Sequence, residues 1–279
     1  MTTPGRHAGA FSALPADVDA LARIVQGLAV HQYAAAHYDV TLTDERTRES
    51  HIRQVDRLLD RLFEIDPKPL TIARPASKRI VGVCHHFMLL MTAMRRAKGI
   101  PARGRCGFGS YFNPGYFEDH WVSEYWNGDQ RCWMLVDAQL DENWRREGRI
   151  EFDVLDVPRD KFIVAADAWK LCRSGRADAS RYGIFLNEMR GLWFIAGNLI
   201  RDAAALCKME MLPWDVWGAI PGAAQGLDNE ELAFFDQLAQ LTSDGDGALP
   251  ELQQRFEYDE RLRMPERVFN AIRGRMEEV

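Results

Sequence analysis

The chain lacks any run approaching the roughly 20 consecutive apolar residues that a membrane helix needs, so no membrane span is expected. Its first dozen residues lack a basic segment leading into an apolar core, so they do not read as a signal peptide. There is no C-x-x-C pair: Cys84, Cys106, Cys132, Cys172 and Cys207 stand apart. An odd set of that kind suggests reduced thiols, one of them reactive, and makes the cytoplasm the expected compartment. A basic surplus is missing too, with 35 Lys and Arg against 41 Asp and Glu, a net charge of -6. Nucleic acid and anionic membranes both attract basic surfaces, so neither is expected as a partner. No internal repeat or low-complexity stretch appears.

What is present is ordinary for a folded chain. Hydrophobic residues make up 47% and charged residues 27% of the 279 positions, enough for a sizeable core. The length suits one large domain, or a medium one with an appended helical part. Leu21, Ile24, Val25 and Leu28 follow helical spacing. A second helix is expected from Thr43, an N-cap followed by Asp44 and Glu45, carrying Val55, Leu58, Leu59 and Leu62 and stopping before Pro67.

The texture then changes. A loop leads to Gly82-Val83-Cys84 and to an apolar run, Phe87 to Met94, hydrophobic on nearly all sides like a buried helix. Arg95, Arg96 and Lys98 suit its negative end, Gly99 the left-handed position after it, and Pro101 forbids continuation. Strands are expected over 102–108, 120–126 and 132–137, with Asn127-Gly128 as a hairpin signal. Beyond residue 157 the pattern predicts helices over 159–172, 190–209, 229–241 and 252–263, a last one from about Pro265, and a loop over 213–226. The fold class expected is therefore α+β.

A thiol becomes a nucleophile as thiolate, which a helix N-terminus and a neighbouring imidazolium both promote. Cys84 stands in the first turn of the buried helix, where its own N–H can point at a developing oxyanion. The plainer reading is an inert core cysteine. The hairpin supplies partners. A two-residue loop sets His120 opposite Leu135 with Asp137 diagonal to it; a four-residue loop over 127–130 sets His120 opposite Asp137. Either way the two share a sheet face, within about 4.5 to 8 Å at the backbone, whereas an unbulged three-residue loop separates them. Alone, His120 reads as a hydrogen-bonded core histidine and Asp137 as a strand-end residue bonding a turn. Together with Cys84 they follow the logic of a catalytic triad.

Four ordered motifs carry a family resemblance: Gly82-Val83-Cys84; Gly99-Ile100-Pro101-Ala102-Arg103 closing the helix from Ala93; His120 to Glu124; and Trp133-Met134-Leu135-Val136-Asp137-Ala138-Gln139. This stretch resembles the core of the transglutaminase-like superfamily, the papain-related thiol fold. The resemblance implies a buried central helix packed on an antiparallel sheet; the sequence pattern adds N-terminal helices and a mainly helical C-terminal part, which is not part of the family's common core. It also implies Cys84 as nucleophile, His120 as base and Asp137 as its partner. The corresponding segments are 1–69, an N-terminal helical part, 70–156, the catalytic core, and 157–279, the helical remainder. One departure is that Trp121 follows His120 at once, where the family places a small residue first. The calcium-binding acidic loops of animal transglutaminases have no counterpart, so neither metal nor cofactor is expected.

His85 and His86 invite a zinc reading with Cys84, but consecutive helical residues face different ways, and polar contacts at the mouth of a cleft fit better. Gly104, Gly107 and Gly109 are not a phosphate loop, since no helix follows. The loop 109–118, with Tyr111, Phe112, Tyr116 and Phe117, either shapes a groove or caps the core. Trp214 and Trp217 line a pocket or simply pack. The expected function is acyl transfer from a peptide, amide, ester or thioester to water or an amine. The alternative is a catalytically silent binding or scaffold protein of the same fold.

Overall fold

The computed structural model describes residues 1–186, 188–223, 226–243 and 245–279. Its contacts separate two units, residues 1–104 with 121–158, and residues 105–120 with 159–279.

In the first unit, Asp17 caps α1 (Val18–Leu28) by accepting the Ala20 N–H at 2.8 Å, and the helix buries Leu21, Val25 and Leu28. It runs into β1 (Ala29–His31). Thr43 does cap a helix, accepting the Arg46 N–H, but α2 (Asp44–Thr47) is short, and the apolar face expected of it belongs to a separate α3 (Val55–Ile65). Tertiary partners account for the break. Glu49 is drawn inward by Arg46 and Arg61, each at 2.8 Å, and the Ile52 carbonyl accepts from His86. Next, β2 (Ile80–Gly82) pairs parallel with β1.

The expected buried helix is α4 (Cys84–Ala97), enclosed from Cys84 to Arg95. Leu89, Leu90, Met91 and Met94 are each no more than 1% exposed, and each such side chain contributes about 1.5–3 kcal/mol by leaving water. Gly99, at φ 74, takes the left-handed position after the helix. Then come β3 (Ala102–Gly109) and β4 (Phe117–Asn127), both of which begin in one unit and continue in the other. In the first unit, β5 (Cys132–Val136) pairs antiparallel with β4 from Asn127↔Cys132 to Ser123↔Val136. The helix meets this ribbon through Thr92 and Ser123, whose hydroxyls lie 2.9 Å apart. Asp141 caps α5 (Glu142–Gly148).

The β4–β5 connection differs from both expected loops. Asn127 is the last paired residue rather than the first loop residue, because its Oδ1 accepts the N–H groups of Asp129 and Gln130. The left-handed residue is Arg131, at φ 54, not Gly128. The loop still holds four residues, shifted by one.

The second unit contains β6 (Phe162–Val164), α6 (Ala165–Arg173), β7 (Tyr182–Ile184), β8 (Met189–Arg190) and α7 (Leu192–Leu206). Its strands are ordered β6-β3-β4-β7-β8. The expected antiparallel sheet is in fact mixed, since β7 pairs parallel with β4 at Phe117↔Tyr182. A parallel neighbour requires a crossover, and α6 lies within it. Then follow β9 (Asp215–Val216), α8 (Asn229–Ser243), α9 (Leu249–Tyr258), β10 (Arg267–Asn270) and β11 (Arg275–Glu278). Trp169 of α6 packs on Phe235 of α8 and donates to Asp236 at 2.7 Å.

The last expected helix is instead the β10–β11 hairpin. Val268 and Asn270 alternate inward, Asn270 Oδ1 accepts the Arg273 N–H, and Gly274 turns at φ 60. The C-terminal part thus mixes short strands with its helices. Within the expected loop 213–226, residues 224 and 225 lie outside the described residues, and β9 occupies part of the remainder. Trp217 is buried and donates to the Leu262 carbonyl at 3.2 Å. Among the described residues, no helix is long and apolar enough to cross a membrane.

Candidate active site

Cys84 is the first residue of α4, and 7% of its surface is exposed. Its placement begins upstream. The Val81 N–H of β2 donates to Glu49 at 2.9 Å, and the parallel register sets Gly82 beside His31. Val83 then stands extended as the N-cap, and its N–H donates to Nδ1 of His86 at 3.1 Å. The same imidazole donates from Nε2 to the Ile52 carbonyl at 3.1 Å, so His86 closes the helix head as a neutral ring. Burial pushes its pKa down to about 4. A Cβ at Gly82 would come within 2.7 Å of His86 Cβ and Cγ, so only glycine leaves room for the folded-back ring. As the first helical residue, Cys84 has an N–H with no partner within the helix, at the positive end of the helix dipole.

These contacts replace the expected polar role for His85 and His86 at a cleft mouth. Both are fully buried; His86 caps, and the His85 ring meets Trp121 edge-on at 5.1 Å. Among the described residues, no group of three or more His, Cys, Asp or Glu could hold a metal ion.

His120 lies in β4 and is 2% exposed. In its unit, aromatic rings surround it: Phe112 at 4.8 Å, Tyr111 at 5.9 Å and Phe162 at 6.2 Å between centroids. The loop 109–118 therefore packs on the imidazole. A Cβ at Gly109 would meet both Tyr111 and Phe112 at 3.0 Å. Glu118, on the same strand face as His120, accepts from Asn113 at 2.7 Å and from the Phe185 N–H, and burial draws its carboxyl pKa up.

Asp137 follows the last residue of β5 and is 1% exposed. Its Oδ1 accepts the Gln139 N–H at 3.1 Å, and its own N–H donates to the Val154 carbonyl at 2.9 Å. That is the turn bonding expected of a strand-end aspartate. The last ladder pair of β4 and β5 is Ser123↔Val136, and Asp137 follows it. Cys84 and Asp137 belong to the first unit; His120 is the residue of β4 at which the second unit ends.

Several supporting residues carried no usable sequence signal. Glu49 is an ordinary acid in the sequence and a buried anchor in the structure. In α7, Asn198, Arg201 and Asp202 interrupt an otherwise apolar run, which is the only hint of their role.

A mixed α/β chain with a buried thiol at a helix head is thus the class the geometry defines. Residues 26–138 match the family model described as the transglutaminase-like superfamily, and this segment includes Cys84, His120 and Asp137. That superfamily is generally a fold of cysteine-dependent acyltransferases and proteases, and some members are inactive. No match was found among curated proteins or solved structures.

Proposed function

We propose that the chain is a thiol-dependent acyl-transfer enzyme in which Cys84, His120 and Asp137 act together. The observation that carries this reading is Cys84 as the first residue of α4, inside the segment that matches the superfamily. The β4–β5 ladder supports the pairing of base and carboxylate: continued one residue beyond Ser123↔Val136 it would put Asp137 level with Val122, which has the same strand face as His120.

In the reaction, the Cys84 thiolate attacks the carbonyl carbon of a peptide or amide; esters and thioesters follow the same course. The carbonyl electron pair moves to oxygen, where the Cys84 N–H stabilises it. The His120 imidazolium, oriented by Asp137, gives its proton to the departing amine as the carbon–nitrogen bond breaks, leaving a thioester on Cys84. Water or an incoming amine then attacks the thioester and gives its proton to His120. As the carbon–sulfur bond breaks the acyl product leaves, and the Cys84 thiolate and His120 imidazolium are restored.

Intact-mass analysis after incubation with activated acyl donors tests this. The reading predicts a single acyl adduct that maps to Cys84 and is absent in Cys84→Ala. An adduct only on the exposed Cys132, or none from any thioester or amide donor, would favour the silent binding protein.

A further inference from the structure

Strand β4 presents His120 on one face and Asp119 on the other, and in the second unit the Asp119 face meets α7. Asn198 Nδ2–H donates to Asp119 Oδ1 at 2.7 Å. Arg201 donates from Nη1 to Asn198 Oδ1 at 3.2 Å and from Nη2 to the Asp215 carbonyl at 3.0 Å. Asp202 grips the neighbouring strand, accepting from Arg105 at 3.0 and 2.8 Å and from the Cys106 N–H at 2.8 Å. Asn198, Arg201 and Asp202 stand at i, i+3 and i+4, so one helical face addresses both strands. All three are buried, in a helix enclosed from Phe194 to Ala205.

Burying such groups gains little over apolar packing, so stability alone is a weak reason for them. Position supplies a stronger one. We propose that Asp119, clamped by Asn198 of α7, is a positioning residue for His120: it pins the strand and fixes a negative charge behind the imidazole, favouring the imidazolium that pairs with a thiolate. The assignment rests on His120 being the base of the proposed reaction. The surroundings of both groups fit it. Asp119 faces Asn198 and Arg201, with Asp215 beyond Arg201; His120 faces Tyr111, Phe112 and Phe162, with Glu118 on its own strand face. Burial is the largest influence and leaves the Asp119 carboxyl pKa raised; Asn198, Arg201 and His120 offset part of that rise.

The test is an NMR titration of the His120 imidazole in the full chain, in the wild type, in Asp119→Asn and in Asn198→Ala. Asp119→Asn keeps an acceptor for Asn198 and removes the charge. Its His120 midpoint should fall by about half to one pH unit, with the thermal midpoint close to wild type. Asn198→Ala, which removes the clamp, should shift His120 in the same direction. It serves as the reporter if Asp119→Asn does not fold. A His120 midpoint that stays at the wild-type value in the folded variants overturns the proposal. Alkylation of Cys84 in His120→Ala is read in parallel. A midpoint that moves while this alkylation ignores His120 upholds the electrostatic link and removes the triad. An unmoved midpoint with alkylation dependent on His120 leaves the triad and removes Asp119.

Discussion

The two buried helices, α4 and α7, use polar residues in opposite ways. In α4 they stand at the two ends: His86 closes the first turn, where Cys84 lies at the dipole's positive end, and Arg95 and Arg96 donate to the Ala16 and Ala102 carbonyls from the last. The body between them is apolar, with Thr92 bonded to the ribbon. In α7 the head is apolar and the polar face sits mid-helix, bonded to strands β3 and β4. One helix presents a group, and the other holds strands in place. Where the polar residues lie along the helix therefore distinguishes the two where burial does not.

The contrast is broken most strongly at Cys84. Cys84→Ala should abolish acyl transfer, by at least about 10⁴-fold in kcat/KM, while a small cavity at a helix start changes folding little. Steady-state rates and thermal melts check the two halves; a large loss of stability would return Cys84 to the core. The opposite pattern is expected in α7. Asp202→Ala leaves the Arg105 guanidinium buried without its carboxylate and should cost about 3–5 kcal/mol in chemical denaturation. A loss under about 1 kcal/mol would show that the pair does not hold the strands.

His86 sharpens the comparison through pH. Its folded pKa, about 4, lies below the unfolded value of 6.5, so the unfolded chain binds the proton first and acid disfavours folding. This contribution is fully present above the unfolded value and is lost as pH falls from 6.5 towards 4. Between pH 7.5 and 5 the loss is about 2 kcal/mol. Glu118 and Asp119, with raised carboxyl pKa values, act in the opposite sense, so the measurement is the difference between wild type and His86→Gln. Their stability gap should narrow by that amount at the lower pH; a gap independent of pH would show that His86 is not buried as a neutral cap. The smallest effect is expected at Thr92→Val, which leaves Ser123 without its partner, for about 1–2 kcal/mol in denaturant.

Local chemistry was legible in the sequence. The end of α4 could be read from Gly99 and Pro101, its start from Gly82-Val83-Cys84, and the three strands from their segments, with Asn127-Gly128 between the last two. Long-range demands were not. Nothing local shows that the Ile52 carbonyl must turn towards His86, so the helix expected from Thr43 breaks where the pattern alone would carry it through. The pairing of β4 with β7 joins residues 117 and 182, which no short-range signal connects. Asn-Gly favours a tight turn beginning at Asn127, yet the Asn127 side chain captures two N–H groups and moves the loop by one position. The helix expected from Pro265 failed because the Val268–Asn270 alternation is only a few residues long, too short to outweigh the surrounding charge pattern.

The direct test is the iodoacetamide alkylation rate of Cys84 near pH 7, measured in a Cys132→Ser background so that the exposed thiol does not compete. Burial holds Cys172 and Cys207 protonated, with pKa values pushed up to about 11 and about 12, so they give the slow baseline. The account predicts that Cys84 outruns both by at least about tenfold and slows by a similar factor in His120→Ala. A Cys84 that reacts no faster than Cys172, at a rate unchanged by that substitution, would contradict it.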